Sequence, residues 1–281
     1  MTILLILLML LPSVSDLQER QGGVKEAAAR AAENQQFEDS RKLGEKAIAE
    51  ARQQVAANPD SPEAHFNLAE TILRGPTRPD DDAEIRQEYS RAIELKPDYF
   101  EAHYKLGVFY MKMDKHEKAY EELNKAISLR PDFAETYLTL GYAYIQKKFG
   151  GGGKLPITEK ESTMAIKAFK KAIELKPDFF LAYDGLGEAS YYLKQYDEAL
   201  DGFKRAAAIA PNDVVSHMGI GTIYIELGNK DAAMQEYEAM KRIESESQKS
   251  RKEKGPDSFP NLAEGYATVL LERIQKRFSD K

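Results

Sequence analysis

Apolar side chains recur along most of this chain at spacings of three and four residues, which is the period of helices that bury one face. One such stretch, rich in Ala, Glu and Arg, covers residues 24–57, and a second covers the long middle of the chain, 62–247. Near the end, apolar residues recur at i, i+4 and i+7 or i+8, namely Leu262, Tyr266, Val269, Leu270, Ile274 and Phe278. The pattern therefore predicts an all-α protein with an amphipathic last helix.

A repeat of 34 residues organises the middle of the chain. Four segments align, 91–107, 125–141, 171–187 and 205–221, and each contains a Pro and ends in a Gly. The prolines are separated by 34, 46 and 34 residues, and so are the glycines; they are Pro97, Pro131, Pro177, Pro211, Gly107, Gly141, Gly187 and Gly221. Self-similarity at a fixed period indicates an array of equivalent structural units, here with one insertion.

The residues of each unit resemble the tetratricopeptide repeat, which has an aromatic residue, Leu-Gly and Tyr, then Ala, an aromatic residue, Ala and a closing Pro. The third unit matches at Tyr137, Leu140, Gly141, Tyr144, Ala165, Phe169, Ala172 and Pro177. Five units are recognisable over about two thirds of the chain. The resemblance implies a right-handed superhelical solenoid of antiparallel helix hairpins with helical caps.

Small and acidic residues have mechanical roles in this repeat. The four glycines lie on first helices and face alanines on second helices, which lets the two helices approach closely. Asp98 with Glu101, and Asp132 with Glu135, have the spacing of a capping box for the following first helix. The same glutamates, together with Glu63, could instead form an acidic rim that contacts a partner.

The predicted organisation has five parts. Residues 1–15 form a signal peptide or a short membrane-attached segment, and 16–61 form an N-terminal helical cap folded as a degenerate hairpin. The five repeats occupy 62–99, 100–133, 134–179, 180–213 and 214–247. A charged linker, 248–259, which could instead extend the last helix of the array, leads to a C-terminal capping helix, 260–281.

The first residues favour export. Residues 3–11 are consecutive apolar residues ended by Pro12, a length typical of a signal-peptide core and far short of the roughly 20 that a spanning helix needs. Ser13 and Ser15 are small residues placed for a cut before Asp16. We therefore expect an exported protein, periplasmic or secreted, or one attached to a membrane by the uncleaved segment. Because no Lys or Arg precedes the apolar run, a cytoplasmic protein is the alternative.

The composition limits the chemistry that this chain can perform. It has no Cys, which excludes disulfides, thiolate catalysis, Fe–S clusters and Cys-containing zinc sites. Three of its four histidines, His65, His103 and His217, occupy the aromatic position of the repeat, and no two histidines share a spacing that suits one metal ion. The net charge of −6 argues against nucleic acid as a partner.

A Gly-rich segment, 150–153, precedes Lys154 but does not match a phosphate-binding loop. Lys148 stands where that motif requires its first Gly, and Leu155 stands where it requires Ser or Thr. The segment is therefore interpreted as an insertion in the turn of the third repeat. These observations predict no catalytic residue, no cofactor and no metal site, and hence a non-enzymatic protein.

The resemblance implies where a partner would bind. In the family, first helices line a concave groove, and partner contacts come mainly from the second, fifth, ninth and twelfth positions of each repeat. Those positions predict a groove formed by Phe66, Glu70, Tyr104, Val108, Met111, Leu138, Tyr142, Ile145, Leu181, Asp184, Glu188, Tyr191, Met218, Thr222 and Ile225. The Lys and Asn with which some family members bind the carboxylates of chaperone tails are absent, so acidic chaperone tails are not expected as ligands.

Two carboxylates distinguish the fourth repeat. Asp184 and Glu188 lie one helical turn apart, and like charges at this spacing destabilise an exposed helix by a few tenths of a kcal/mol. We therefore expect a protein-interaction scaffold that binds an extended or helical segment with apolar anchors and a basic residue. The groove tyrosines could instead pack between adjacent first helices.

Three other functions remain as alternatives to a groove-binding scaffold. The first is a membrane-attached accessory subunit of a cell-envelope assembly or secretion machine. The second is an unusual enzyme that uses the Gly-rich insertion. The third is RNA binding by helical repeats, which the net charge of −6 disfavours.

Overall fold

The computed structural model describes residues 14–76, 81–145, 157–254 and 265–279, with side chains for those from 34 to 249 and from 265 to 279. The apolar run at 3–11 and the Gly-rich segment lie outside the described residues. Within the described ranges the chain forms twelve helices and no strand, and none of the helices has the length and apolar character to span a bilayer. The all-α prediction is thus confirmed. Two compact units divide the chain, 1–97 and 98–281.

Helix bounds follow the repeat closely. The first unit contains α1 (Val14–Ala57), α2 (Pro62–Arg74) and α3 (Asp81–Leu95). The second contains α4 (Phe100–Lys112), α5 (His116–Leu129), α6 (Ala134–Ile145), α7 (Glu159–Leu175), α8 (Phe180–Tyr192), α9 (Tyr196–Ile209), α10 (Val214–Glu226), α11 (Lys230–Lys254) and α12 (Tyr266–Phe278). The helices from α2 to α11 pair as five successive hairpins, α2 with α3 through α10 with α11.

Helix α1 differs from the expected N-terminal hairpin. It is one continuous helix of 44 residues. No proline occurs between Pro12 and Pro59, and the sequence is rich in Ala, Glu, Lys and Arg, which have high helix propensity, so nothing forces a turn. Its later half packs within the first unit through Ile48, which is buried, whereas Phe37 and Leu43 are exposed. The prediction of a hairpin over 16–61 is therefore wrong.

The capping-box prediction is wrong at α4, where Tyr99 is the N-cap residue and no side chain caps the helix. Glu101 instead forms an ion pair of 2.7 Å with Arg130, the residue before the closing Pro of the same repeat. The equivalent pairs in the neighbouring repeats are Glu63 with Lys96, at 3.7 Å, and Glu135 with Lys176, at 3.4 Å. These glutamates thus connect the two ends of their own repeat.

Three histidines also connect the two helices of a hairpin. In each case Nδ1 of the ring lies within 2.6–2.7 Å of a glutamate oxygen on the second helix; the pairs are His65 with Glu88, His103 with Glu122 and His217 with Glu236. In the last pair the hydrogen bond to the carboxylate raises the pKa of the imidazole. The histidines at the aromatic position therefore have a structural role.

Phe169 of α7 forms the centre of the core around the third repeat. Its side chain is fully buried. A Cβ added at Gly141 of α6 would lie 2.5 Å from the ring, and one added at Gly185 of α8 would lie 2.4 Å from it. Contacts this short cannot be accommodated without movement of the ring, so two first helices pack on one Phe only because both have glycine there.

The C-terminal helices close the second unit. Helix α11 continues to Lys254, so the first part of the predicted linker 248–259 is helical, in agreement with the alternative of an extended helix. No glycine or proline interrupts that helix before Gly255 and Pro256. Helix α12 packs against α10 and α11 through Leu270 and Ile274, which are buried with Met240 of α11.

Candidate functional site

A pocket of about 540 Å³ lies in the second unit, with walls from α6, α8, α9, α10 and α12. Seven of the predicted groove residues line it: Tyr142, Leu181, Asp184, Glu188, Tyr191, Met218 and Thr222. They come from the first helices of repeats three, four and five, the helices that the resemblance assigns to the groove. A volume of this size is within the range of small-ligand and side-chain pockets, about 300–1,000 Å³.

The floor of the pocket is apolar. Phe203 of α9 lies below it, and a Cβ at Gly187 or Gly219 would approach this ring to 2.8 Å or 2.6 Å. The two glycines therefore let the backbones of α8 and α10 pack directly on this ring. On the α6 side, the hydroxyl of Tyr142 donates a hydrogen bond to the carbonyl of Leu181, at 3.0 Å, so that this ring both joins α6 to α8 and faces the pocket.

The polar wall contains a pair of carboxyl groups joined through one hydroxyl. Ser216 Oγ lies 2.8 Å from Asp184 Oδ1 and 2.7 Å from Asp213 Oδ2. Asp213 is the N-cap residue of α10 and also accepts from the Ser216 amide, at 2.9 Å. Because one hydroxyl has one hydrogen to donate, it can stabilise only one ionised carboxylate at a time.

Asp184 is buried, with 5% of its surface exposed, which corrects the expectation that it lies on an open helix face. Burial raises the pKa of its carboxyl from 3.8 to about 7, and the negative charges of Asp213 and Glu188 act in the same direction. The hydrogen bond from Ser216 opposes this shift of the pKa. Near neutral pH the group therefore gains or loses its proton readily.

Glu188 lies one turn further along α8 and is half-buried. The hydroxyl of Tyr192 donates to its Oε1 atom at 3.0 Å. Burial of the Tyr192 phenol, the negative charge of Glu188 and this hydrogen bond raise the pKa of the phenol, so the tyrosine stays a neutral donor at physiological pH. Asp184, Glu188 and Asp213 together give one end of the pocket a surplus of acidic groups.

Arg273 of α12 contributes the positive group of the pocket. Its Nη1 atom donates to Thr222 Oγ1 at 3.4 Å, near the C-terminal part of α10. Burial of the Tyr191 phenol raises its pKa, as does the negative charge of Glu226, and the positive charge of Arg273 opposes this shift. The pocket therefore has acidic and basic groups at different places along α10.

Several predicted groove residues lie elsewhere. Glu70 of α2 is buried in the first unit, where it accepts from Tyr89 at 2.5 Å and from Arg74 at 2.8 Å. It is engaged within the hairpin rather than presented to a ligand. Phe66 packs against Tyr89, with ring centroids 5.8 Å apart.

Other predicted residues pack within the second unit. Tyr104 stacks on Phe100 and meets Phe133 edge to face, at 6.1 Å and 5.5 Å between centroids, so these contacts lie within the second repeat. Ile145 and Ile225 are buried in hydrophobic clusters, and Leu138 packs against such clusters. Val108 and Met111 are half-buried on α4.

Four residues important to the pocket were missed by sequence reasoning. Asp213 could have been recognised as an N-cap residue, because it precedes a first helix with the usual capping residue type. Ser216 and Gly219 carry no local signal, since their partners Asp184 and Phe203 lie in other helices. Arg273 lies outside the repeats, where the consensus gives no guidance.

A second cavity, of about 650 Å³, lies between α5, α6 and α7. Two of its lysines are paired within the protein, Lys170 with Glu198 and Lys171 with Glu174. Among the residues that the structure describes, no group of three or more His, Asp or Glu side chains could hold a metal ion.

Comparison with protein families identifies the architecture. A model described as TPR repeat matches residues 86–114 and 110–148, and two models described as tetratricopeptide repeat match 163–214 and 190–248. Together these matches cover more than half of the chain. The chain belongs to the tetratricopeptide repeat family, whose members are generally non-catalytic scaffolds for protein–protein interaction.

Solved structures show the same fold. A crystal structure of MamA is 25% identical, covers 60% of this chain and 92% of its own, and has a TM-score of 0.54. PilW, described as a widely conserved type IV pilus biogenesis factor, is 18% identical over 78% of this chain and 86% of its own, with a TM-score of 0.58. YrrB, described as a TPR protein with an unusual peptide-binding site, is 17% identical over 69% and 91%, with a TM-score of 0.54. No curated protein matches the sequence.

Proposed function

We propose that this protein is a non-catalytic scaffold that binds a segment of a partner protein in the pocket between α8 and α10. A Lys or Arg of the partner pairs with Asp184 and Glu188, and apolar side chains of the same segment pack on the floor above Phe203. The observation that carries the proposal is the shared hydroxyl of Ser216: Asp213 also accepts from the Ser216 amide, whereas Asp184 competes with Asp213 for the one hydrogen of this hydroxyl.

Asp184 is the carboxyl group whose hydrogen bonding is incomplete, because its donor, the hydroxyl of Ser216, is shared with Asp213. A buried carboxylate is stable only when hydrogen bonds or an opposite charge compensate its lost hydration. In the unbound protein, a proton bound to Asp184 neutralises the carboxylate and so removes the need for such compensation. A partner's ammonium or guanidinium group can replace the proton, and it makes short charge-assisted hydrogen bonds in a site that is partly shielded from water.

Charge reversal at Glu188 tests the proposal. Peptides selected from a random dodecamer library on the unaltered protein are expected to contain Lys or Arg among apolar residues. Glu188→Lys is expected to weaken their binding at least about tenfold, because breaking a desolvated charge pair typically costs 2–5 kcal/mol. Fluorescence anisotropy with labelled peptides measures this change.

The matched control is Glu238→Lys, which makes the same change of charge at an exposed position of α11 outside the pocket. It is expected to leave the affinity unchanged. Equal affinities for the unaltered protein and Glu188→Lys, or selected peptides without basic residues, would contradict the proposal.

The apolar run at 3–11 supports a location outside the cytoplasm, and a second candidate function follows from it. If the run stays uncut, the protein is a membrane-attached accessory subunit of a cell-envelope assembly or secretion machine. The intact mass of the protein from its native cell separates the two cases. A chain that starts at Asp16 supports an exported scaffold, and a full-length chain in the membrane fraction supports the accessory subunit.

A further inference from the structure

Arg273 is an arginine without a carboxylate partner in the part of the chain that the structure describes. Six described arginines lie within ion-pair distance of a carboxylate, namely Arg41, Arg52, Arg74, Arg91, Arg130 and Arg205. Arg86, Arg242 and Arg277 are exposed and have no such pair in the described residues either, but Arg273 differs from them because it lines the pocket. Arg273 has only the hydrogen bond to Thr222, at 3.4 Å, and it lines the pocket. Its guanidinium group therefore retains unused donors at the edge of a cavity.

The backbone beneath Arg273 is held firmly. Leu270 and Ile274, which precede and follow it on α12, are 0% and 1% exposed and belong to the cluster with Met240. Leu270 also faces Gly221 of α10, where an added Cβ would lie 2.7 Å from the leucine. This packing fixes the position from which the arginine side chain extends over α10.

The acidic and basic groups of the pocket are separated along α10. Ser216, which contacts Asp184, and Thr222, which contacts Arg273, are six residues apart. At 1.5 Å per residue this corresponds to about 9 Å along the helix. An extended peptide covers about 3.3 Å per residue, so the two places are about three peptide residues apart.

We propose that Arg273 binds a carboxylate of the partner segment, so that the pocket selects a segment with a basic side chain and a carboxylate about three residues apart. This inference rests on the proposed function, because it assumes that the segment occupies the pocket with its basic residue at Asp184 and Glu188. The separation of charge along α10 then fixes the direction in which the segment lies.

The chemistry of guanidinium supports a carboxylate as the ligand. Its planar set of donors matches the two oxygens of a carboxylate and forms parallel, charge-assisted hydrogen bonds. The carboxylate can belong to an Asp or Glu side chain or to the C-terminus of the partner. Thr222, beside the guanidinium, adds a hydroxyl that can donate to the same anion.

Peptide probes with defined charges test this inference. The reference probe contains Lys-Leu-Phe-Glu between blocked glycines, and a second probe has Gln in place of Glu. A third has Lys in place of Glu, and a fourth ends in a free carboxylate after Lys-Leu-Phe. The unaltered protein is expected to bind the reference probe about tenfold more tightly than the Gln probe, measured by isothermal titration calorimetry. Equal affinities would overturn the inference.

The fourth probe identifies the source of the carboxylate. If the free C-terminus binds more tightly than the Glu side chain, the ligand carboxylate is a chain end, and the reverse order indicates a side chain. Either order supports the inference provided that Arg273→Glu removes the preference. The inference fails if that substitution leaves the ranking of the probes unchanged.

The most specific readout is a reversed preference for the charge of the probe when the charge at position 273 is reversed. Arg273→Glu is expected to weaken the reference probe about tenfold and to bind the third probe, which carries a second Lys, more tightly than the unaltered protein does. Arg277→Glu makes the same change one turn further along α12, outside the residues that line the pocket, and is expected to change neither affinity. If Arg273→Glu does not reverse the preference between the reference probe and the third probe, the inference is overturned.

The binding of the probes to Glu188→Lys and to Arg273→Glu also distinguishes a failure of this inference from a failure of the proposed function. If Glu188→Lys weakens binding of the reference probe while Arg273→Glu leaves its affinity unchanged, the pocket binds a basic segment but Arg273 does not bind a carboxylate. If no probe binds the unaltered protein and Glu188→Lys leaves the library-selected peptides unaffected, both proposals are wrong.

Discussion

Replacing Phe169 with alanine is expected to lower the free energy of unfolding by about 3–5 kcal/mol. The ring is fully buried between α6 and α8, and its removal leaves a cavity that the surrounding helices cannot close without breaking other contacts. Urea denaturation followed by far-ultraviolet circular dichroism measures the effect. Phe37→Ala removes the same side chain from a position that is 69% exposed, and it is expected to change the free energy of unfolding by less than about 0.5 kcal/mol.

The complementary change adds atoms on the other side of the same contact. Gly185→Ala places a Cβ 2.4 Å from the Phe169 ring, and overpacking of this kind costs about 1–3 kcal/mol. In a Phe169→Leu background the ring is absent, so the cost of Gly185→Ala is expected to be smaller. Strictly additive free energies in this double-mutant cycle would show that the two residues do not pack against each other.

Four glycines show which contacts a repeat consensus can predict and which it cannot. Gly141 and Gly187 belong to the consensus, and the side chain nearest to each is a Phe of the second helix in its own hairpin rather than the Ala that the pattern predicts. Gly185 and Gly219 do not belong to it. Their need for glycine arises from a Phe of the preceding repeat, and a pattern defined within one repeat cannot show contacts between repeats.

The candidate site likewise has features that the repeat pattern predicts and features that it does not. Its position on the first helices and seven of its lining residues could be predicted from the register of the repeat, which fixes the face of each helix. Two features could not be predicted because they depend on distant parts of the chain. The contact between Asp184 and Ser216 joins residues 32 positions apart, and Arg273 enters from a helix that follows the array.

Isolated glutamates were harder to interpret from sequence alone. Glu70 occupies a groove position and yet is buried by Tyr89, a residue of the paired helix. Glu101 has capping-box spacing and yet pairs with Arg130 at the other end of its repeat. In both cases a partner brought close by the hairpin competes with the local interaction, and it prevails because the folded array holds it in place.

Binding of a basic segment is expected to strengthen as the pH rises through about 7. Burial raises the pKa of Asp184 to about 7, and only its ionised form attracts the cation of the partner. The groups that face it are Glu188 of the same helix, Asp213 and Ser216 of the α10 end, and Tyr142 of α6. Calorimetry of the reference peptide in buffers of different ionisation enthalpy should show proton release on binding near neutral pH.

The same group makes the unbound protein less stable as the pH rises. The pKa of Asp184 is higher in the folded state than its ordinary value of 3.8, so between pH 3.8 and about 7 the folded state holds more protons than the unfolded state. The contribution of Asp184 to the free energy of unfolding therefore decreases across this window and is constant above it. Asp184→Asn removes this dependence and is expected to stabilise the unbound protein by about 2 kcal/mol at pH 8.

The asparagine variant thus separates stability from binding. It keeps a hydrogen-bonding side chain beside Ser216 but cannot become an anion, so it is expected to be more stable at pH 8 and to bind the reference peptide more weakly. Asp201→Asn, at an exposed position of α9, is the matched control and is expected to change neither property appreciably. An Asp184→Asn protein that binds with unchanged affinity and pH dependence would show that this carboxyl group does not receive the cation, because a group that exchanges its proton for a ligand must affect both.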